Sequence, residues 1–331
     1  MKISFFEIKG WEKKYLKASL KGHKLSFYKE PLTEDNVLLA KGADIISVFI
    51  YSKINKKVLN TLKNLKLICT RSTGYDHISL GIAKKKGVCV CNIPSYGENT
   101  VAEHTFALIL ALSRNIHKSY IKTLRNDFSL EGLKGFDLKN KTLGVVGAGK
   151  IGLHVIRIAK SFGMNVLAFD VNEDNFISEV LDFKYVSFID LLKESDIVSL
   201  HAPYNEKTHH MINKSSIKLM KKGSFLINTS RGGLVDLDAL IMGLDKNIIA
   251  GAGLDVIEGE EFIKEEKQLL YDPEKMESAL TLAKDHILFD NEKVIFTPHI
   301  AFYSHEALLR ILKQTSENIK SFVKGDNFNK L

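Results

Sequence analysis

The stretch LGVVGAGKIG (143–152) carries the strongest chemical signal in this 331-residue chain. Gly147, Gly149 and Gly152 stand in a GxGxxG spacing, directly after a strand-like run and at the opening of a helical one. The first glycine permits a tight turn, the second lets backbone approach a pyrophosphate, and the third lets helix and strand pack closely. The helix N-terminus then offers N–H donors to the anion. Asp170 ends the next strand-like run. A carboxylate there accepts from adenosine ribose hydroxyls and repels a 2′-phosphate, which favours NAD over NADP.

A dinucleotide that passes a hydride to or from a 2-oxo acid needs partners from the protein. These are a cation for the carboxylate, an acid/base for the carbonyl oxygen, and a group that holds that acid/base in the right protonation state. Arg231 in LINTSRGG, His299 in FTPHIAFYS, and Asp255 with Glu260 in GLDVIEGEE each follow a strand-like run. Carboxyl ends of strands are where open α/β sheets bind ligands, and a guanidinium can fork onto carboxylate and carbonyl together. Singly, each residue has a structural explanation: a surface Arg, a core His, an acid capping a helix. Three such strand ends in one half of the chain make the structural explanation the weaker one.

The elements that must position these groups alternate. Strands are expected at Ile3–Phe6, Asp44–Tyr51, Leu67–Thr70 and Val88–Asn92, with helices at Asn55–Leu65 and Ser79–Lys86. Asn99–His117 reads as a long apolar helix. Alternation restarts with strands at Thr142–Val146, Asn165–Phe169, Asp196–Leu200, Ser224–Asn228, Ala250–Asp255 and Lys293–Thr297. Helices are expected at Ile151–Phe162, Lys214–Met220, Asp236–Leu244 and His305–Val323. Such alternation implies parallel sheets covered on both faces. Glu261–Asp290 shows no strand pattern and reads as an insertion.

Composition narrows the class further. The chain is 45% hydrophobic and 26% charged, with 47 Lys and Arg against 39 Asp and Glu, a formal charge of +8. The basic surplus is scattered among acids, so a solvated surface is expected and no nucleic-acid partner. Cys69, Cys89 and Cys91 are too few for a disulfide framework, and Cys89 and Cys91, two apart in a strand-like run, read as small buried hydrophobes. No signal peptide or apolar span of membrane length is evident, which leads to the expectation of a cytoplasmic protein without a membrane partner. The pair His209–His210 lacks metal-ligand spacing and a third ligand nearby, so no metal is expected.

Several stretches taken together resemble the NAD-dependent D-isomer-specific 2-hydroxyacid dehydrogenases: RSTGYDHI (71–78), IPSYGENTVAEHTFALIL (93–110), GVVGAGKIG (144–152), SDIVSLHAPYNEKTHHMIN (195–213), INTSRGGLVD (227–236), GLDVIEGEE (253–261) and TPHIAFYS (297–304). Tyr96, Phe302, Tyr303 and the insertion point to the D-lactate branch of that family. The resemblance implies two Rossmann-like doubly wound domains. A substrate (catalytic) domain spans 1–98 and 300–331, an inserted NAD-binding domain spans 99–299, and hinges fall near 95–100 and 299–303. It implies reversible hydride transfer between NADH and pyruvate giving D-lactate. His299 is then the acid/base, Glu260 its hydrogen-bonding acid, and Arg231 the substrate clamp. Thr73 and Gly74 hold the substrate carboxylate, and Tyr96 and Tyr303 lie around its methyl group. The implied NAD contacts are Gly147, Gly149, Lys150, Ile151, Gly152 and Asp170, then Ala202, Pro203 and Thr208 by the adenine half, and Thr229, Ser230, Arg231 and Asp255 by the nicotinamide. The helix from Asn99 implies a homodimer interface. Alternatives within this resemblance are a dehydrogenase for a larger 2-oxo acid, such as phenylpyruvate or hydroxypyruvate, and an NAD-sensing corepressor-type binding protein.

Overall fold

The computed structural model describes residues 1–259 and 287–331, so Glu260 and most of the expected insertion lie outside the described residues. The chain divides into two compact units, Met1–Tyr96 with Tyr303–Leu331, and Gly97–Phe302.

The first unit is a five-stranded, all-parallel sheet of β1 (Lys2–Phe5), β2 (Lys24–Phe27), β3 (Ile45–Val48), β4 (Leu67–Thr70) and β5 (Cys89–Cys91), in the order β2-β1-β3-β4-β5. Every position of β3 and β4 is buried, as a sheet covered on both faces requires. Alternation sorts the side chains. Ile3, Phe5, Ile45, Leu67, Cys69 and Cys91 pack with Leu16 and with Leu312 and Ile319 of the C-terminal helix, His305–Lys324. Ile46, Val48, Ile68 and Val90 pack on the other face with Val58, Leu59 and Ala83. These come from α2 (Lys56–Thr61) and α3 (Leu80–Lys85); Leu16 comes from α1 (Gly10–Ser19).

The second unit holds seven parallel strands: β6 (Thr142–Val146), β7 (Asn165–Phe169), β8 (Lys184–Tyr185), β9 (Ile197–Leu200), β10 (Ser224–Asn228), β11 (Ile249–Leu254) and β12 (Val294–Phe296). Their order is β12-β11-β10-β9-β6-β7-β8. One face packs against α4 (Glu98–Ser113) and α6 (Lys150–Ser161) through Leu143, Val145, Ile197 and Ile227. The other buries Val146, Val198, Leu200 and Leu226 against α8 (Phe188–Glu194) and α9 (Leu237–Asp245). In each sheet the strand order reverses once, at β1/β3 and at β6/β9, the crevice where doubly wound sheets take ligands.

Several expected elements differ: the helix read over Asn55–Leu65 ends at Thr61 and the strand read over Asp44–Tyr51 ends at Val48. The helix read over Asn99–His117 ends at Ser113, and α5 (Ile116–Leu124) starts anew after Asn115. Asn115 sits at φ 50°, a left-handed conformation that Asn tolerates. Gly135 lies close against the end of α4, where a Cβ would stand 2.1 Å from the Ser113 carbonyl oxygen. The helix read over Lys214–Met220 is only a 3-10 turn, Ile217–Leu219. There the Asn213 side chain accepts from Ser215 N and Ser216 N, a local arrangement that competes with helical bonding.

Candidate active site

The glycine turn follows β6 at the reversal point of the second sheet. Gly147 has φ 96°, and a Cβ there would lie 2.7 Å from Ala202 N, so the turn lies directly against the segment leaving β9. A Cβ on Gly152 would lie 2.0 Å from the Gly147 carbonyl oxygen, whereas one on Gly149 would meet nothing within 4 Å. Only the middle glycine therefore faces open space, which is the cradle a pyrophosphate would enter. Gly149 is also the N-cap of α6, and no side chain caps that helix. Lys150 and Ile151 form its first turn. Asp170, just past β7, accepts from Ala148 N at 2.7 Å and Asn172 N at 2.9 Å. Each carboxylate oxygen keeps a further lone pair for a ribose hydroxyl. These residues fit a dinucleotide.

The strand ends β10, β11 and β12 are level, since Asn228 pairs with Leu254 and Leu254 with Phe296. Arg231 and His299 each lie three residues beyond such an end, on strands separated by one neighbour. Strand spacing puts those ends roughly 10 Å apart, within reach of a common small ligand for two long side chains. Asp255 follows the strand between them. Its carboxylate is fully buried and accepts from Thr297 Oγ1 (2.5 Å), Ile300 N (2.9 Å) and Ala301 N (2.8 Å). His104 of α4 adds Nε2 contacts to Thr297 Oγ1 (2.9 Å) and Asp255 Oδ1 (3.4 Å). This network staples the turn that holds His299 at φ 53°, a left-handed backbone unusual for histidine.

The Arg231 loop is tied equally closely. Thr229, buried, meets Thr105 Oγ1 at 2.9 Å, Ser230 Oγ donates to Ala202 O at 2.6 Å, and Asn228 Nδ2 donates to Arg231 O at 2.9 Å. Arg231 Nη1 donates to Ser230 O at 2.7 Å. Thr208 closes its own loop by donating to Pro203 O at 2.7 Å. Glu260, expected to partner His299, lies outside the described residues.

The first unit supplies a second set. Thr73 Oγ1 donates to Ile93 O (2.8 Å), Asn92 Nδ2 donates to Thr73 O (2.8 Å), and Ser72 Oγ donates to Gly74 O (2.6 Å). The loop is pinned through its carbonyls and hydroxyls, and among the described residues no acceptor meets Thr73 N or Gly74 N. Two adjacent N–H groups held this way suit a carboxylate. The Tyr96 carbonyl accepts from Arg310 Nε at 2.5 Å. Tyr303 is exposed, and its hydroxyl meets Lys9 Nζ, which also lies over the ring.

One expectation needs correcting. A third ligand-type group does stand beside His209 and His210, because Glu258 accepts from His210 Nε2 at 2.9 and 3.0 Å. The two imidazoles stack at 3.8 Å and 25°, so their lone pairs lie in separate planes and His209 would have to leave the stack to share an ion with its neighbour. Sequence spacing missed Glu258 because it arrives from another strand end. The Asp255–His104–Thr297 staple was likewise invisible, its members being distant in the chain.

A doubly wound sheet with a glycine turn at its reversal point, and an Arg and a His on level strand ends beside it, defines a dinucleotide-dependent oxidoreductase. The chain belongs to the D-isomer-specific 2-hydroxyacid dehydrogenases: residues 106–301 match the model of that family's NAD-binding domain. It is 36% identical over 330 residues to "D-lactate dehydrogenase" of Escherichia coli, covering 98% of both chains. It is 38% identical over 307 residues to an "aromatic 2-oxoacid reductase" of Clostridium sporogenes, covering 91% of this chain and 89% of that one. Among solved structures it is similar to Aquifex aeolicus D-lactate dehydrogenase complexed with NAD and lactic acid, with a TM-score of 0.88 and 40% identity over 98% of this chain and 96% of that one. The protein is an oxidoreductase whose cofactor is NAD.

Proposed function

We propose that the chain is a D-lactate dehydrogenase that interconverts pyruvate and D-lactate. The observation that carries this reading is the 40% identity, nearly end to end, to a structure holding NAD and lactic acid. Bound at the glycine turn, NADH supplies the hydride. The residues expected around it are Gly147, Gly149, Lys150, Ile151, Gly152 and Asp170, with Ala202, Pro203, Thr208, Thr229, Ser230 and Asp255 along the same strand ends.

In this reading the Thr73 and Gly74 amides and Arg231 take the substrate carboxylate, and Tyr96 and Tyr303 border its methyl group. His299 gives a proton to the carbonyl oxygen during reduction and takes it back during oxidation. Glu260 is the proposed hydrogen-bonding acid for His299. Asp255 acts through the backbone, fixing the turn from which His299 projects. In domain terms, residues 1–98 and 300–331 serve the substrate and 99–299 serve NAD.

We further propose a homodimer through α5 and the chain after it. Ile116, Tyr120, Ile121, Leu124, Phe128 and Leu130 are all exposed there, apolar side chains of the kind that an association surface covers. Three free cysteines fit a reducing cytoplasm. Among the described residues no helix is long and apolar enough to cross a membrane.

A second reading, reduction of a bulkier aromatic 2-oxo acid, is favoured by the 38% identity to the aromatic 2-oxoacid reductase. Loss of NADH absorbance with pyruvate, phenylpyruvate and hydroxypyruvate separates the two. The highest kcat/KM on pyruvate is expected, and a preference for phenylpyruvate would replace the lactate reading by the second.

A further inference from the structure

We propose that Glu7 is a positioning residue that shapes the substrate end of the first unit, and so its preference for a short 2-oxo acid, by bracing residues 49–52 across the reversal point of that sheet. Glu7 follows β1, and Phe49 follows the neighbouring β3. The Glu7 carboxylate accepts three bonds from that loop: Phe49 N at 2.8 Å, Tyr51 N at 3.0 Å and Ser52 Oγ at 2.5 Å. Its backbone is held at φ 55°, where glycine would be unstrained and a side chain is disfavoured. A strained residue whose carboxylate satisfies three converging donors points to a position kept for that carboxylate.

The brace extends to the loop that carries Thr73 and Gly74. Arg71, buried to 2% exposure, donates to Glu7 O (3.0 Å), Phe6 O (2.7 Å) and Ser47 Oγ (3.1 Å). Its guanidinium carbon lies 5.8 Å from the centre of the Phe49 ring, and its N–H donates to Val48 O at 2.8 Å. The loops after β1, β3 and β4 are thereby one polar cluster at the carboxyl ends of adjacent strands, the place where such sheets meet ligands. Glu7 sets the backbone of 49–52, and with it the stations of Phe49 and Tyr51, relative to the amides at Thr73 and Gly74. Replacing the carboxylate by an amide would leave one acceptor for three donors and turn an NH₂ toward an N–H.

The proposal rests on the reading of those amides as the carboxylate site, and the test separates the two. Glu7→Gly and Glu7→Gln are made in the full-length protein. Amide hydrogen exchange over Phe49–Ser52, which needs no substrate, should quicken in Glu7→Gly, while the KM for pyruvate rises about tenfold with kcat within about threefold of wild type. The ratio of kcat/KM for phenylpyruvate over pyruvate should rise as the loop loosens, with Glu7→Gln intermediate in each readout. Unchanged exchange at 49–52, or unchanged KM and substrate ratio despite faster exchange, overturns the proposal. If Glu7→Gly does not fold, Glu7→Gln carries the same comparison. Wild-type protein that turns over no 2-oxo acid would defeat the lactate reading, while the exchange data would still judge the brace.

Discussion

His299, the proposed acid/base, shows how little of a residue's placement is its own doing. Its backbone is left-handed, and that turn is fastened by a fully buried carboxylate with three donors. The residue types at the strand ends were legible in the sequence, whereas the staple from Asp255 and His104 was not, because those contacts span 42 and 193 residues. Replacing His299 with Gln should cost about 10²–10⁴ in kcat, the usual span for losing a general acid. Steady-state kinetics with melting unchanged would check it, and near wild-type turnover would remove His299 from the mechanism. A second histidine should report on stability. Burial holds His201 down to about 3, while Ser199 Oγ lies 2.8 Å from its Nε2. In the unfolded chain it titrates near 6.5, so below that pH the unfolded state takes up a proton that the folded state refuses. Its contribution to stability is therefore whole above about pH 6.5 and is lost progressively as pH falls toward 3. Urea melts across that range should slope less steeply for His201→Gln than for wild type; equal slopes would show that His201 does not set the pH dependence.

At the level of elements, strands buried on both faces were the most readable feature. Leu67–Thr70, Thr142–Val146 and Ser224–Asn228 stand where apolar runs placed them. The half-exposed β2 passed unnoticed, for an edge strand has no such run. Helix ends set by side-chain chemistry at Asn115 and Asn213 were equally silent. The glycine turn makes a sharper claim, since its members have opposite surroundings. Ala at Gly152 must displace the Gly147 carbonyl and should destabilise the protein by about 1–3 kcal/mol. Ala at Gly149 meets nothing, so melting should be unchanged while NADH affinity falls roughly tenfold or more, about 1.4 kcal/mol. Thermal melts and NADH fluorescence titrations of both variants test this. Normal NADH affinity in Gly149→Ala would mean that the open space is not the dinucleotide's.

For the whole molecule, two doubly wound sheets were legible in the sequence, while self-association through the helix read over 99–117 and the chain after it is a proposal for experiment. Most of α4 is buried inside its own unit, and it is α5 and the chain beyond it that expose Leu124 and Phe128 at 66% and 76%. Leu124→Asp with Phe128→Asp should yield monomers by sedimentation without loss of fold, and a wild-type protein already monomeric at micromolar concentration would end that reading. The discontinuity of the first unit has a consequence for how the protein is made. Leu312 and Ile319 roof the face formed by Ile3, Phe5 and Leu67, and Leu331 N bonds to Val90 O at 2.9 Å. While the chain leaves the ribosome, that early sheet must wait for the entire second unit to emerge before its roof arrives. Until then an apolar surface stands bare, so yield in the cell should depend on chaperones that shelter nascent chains.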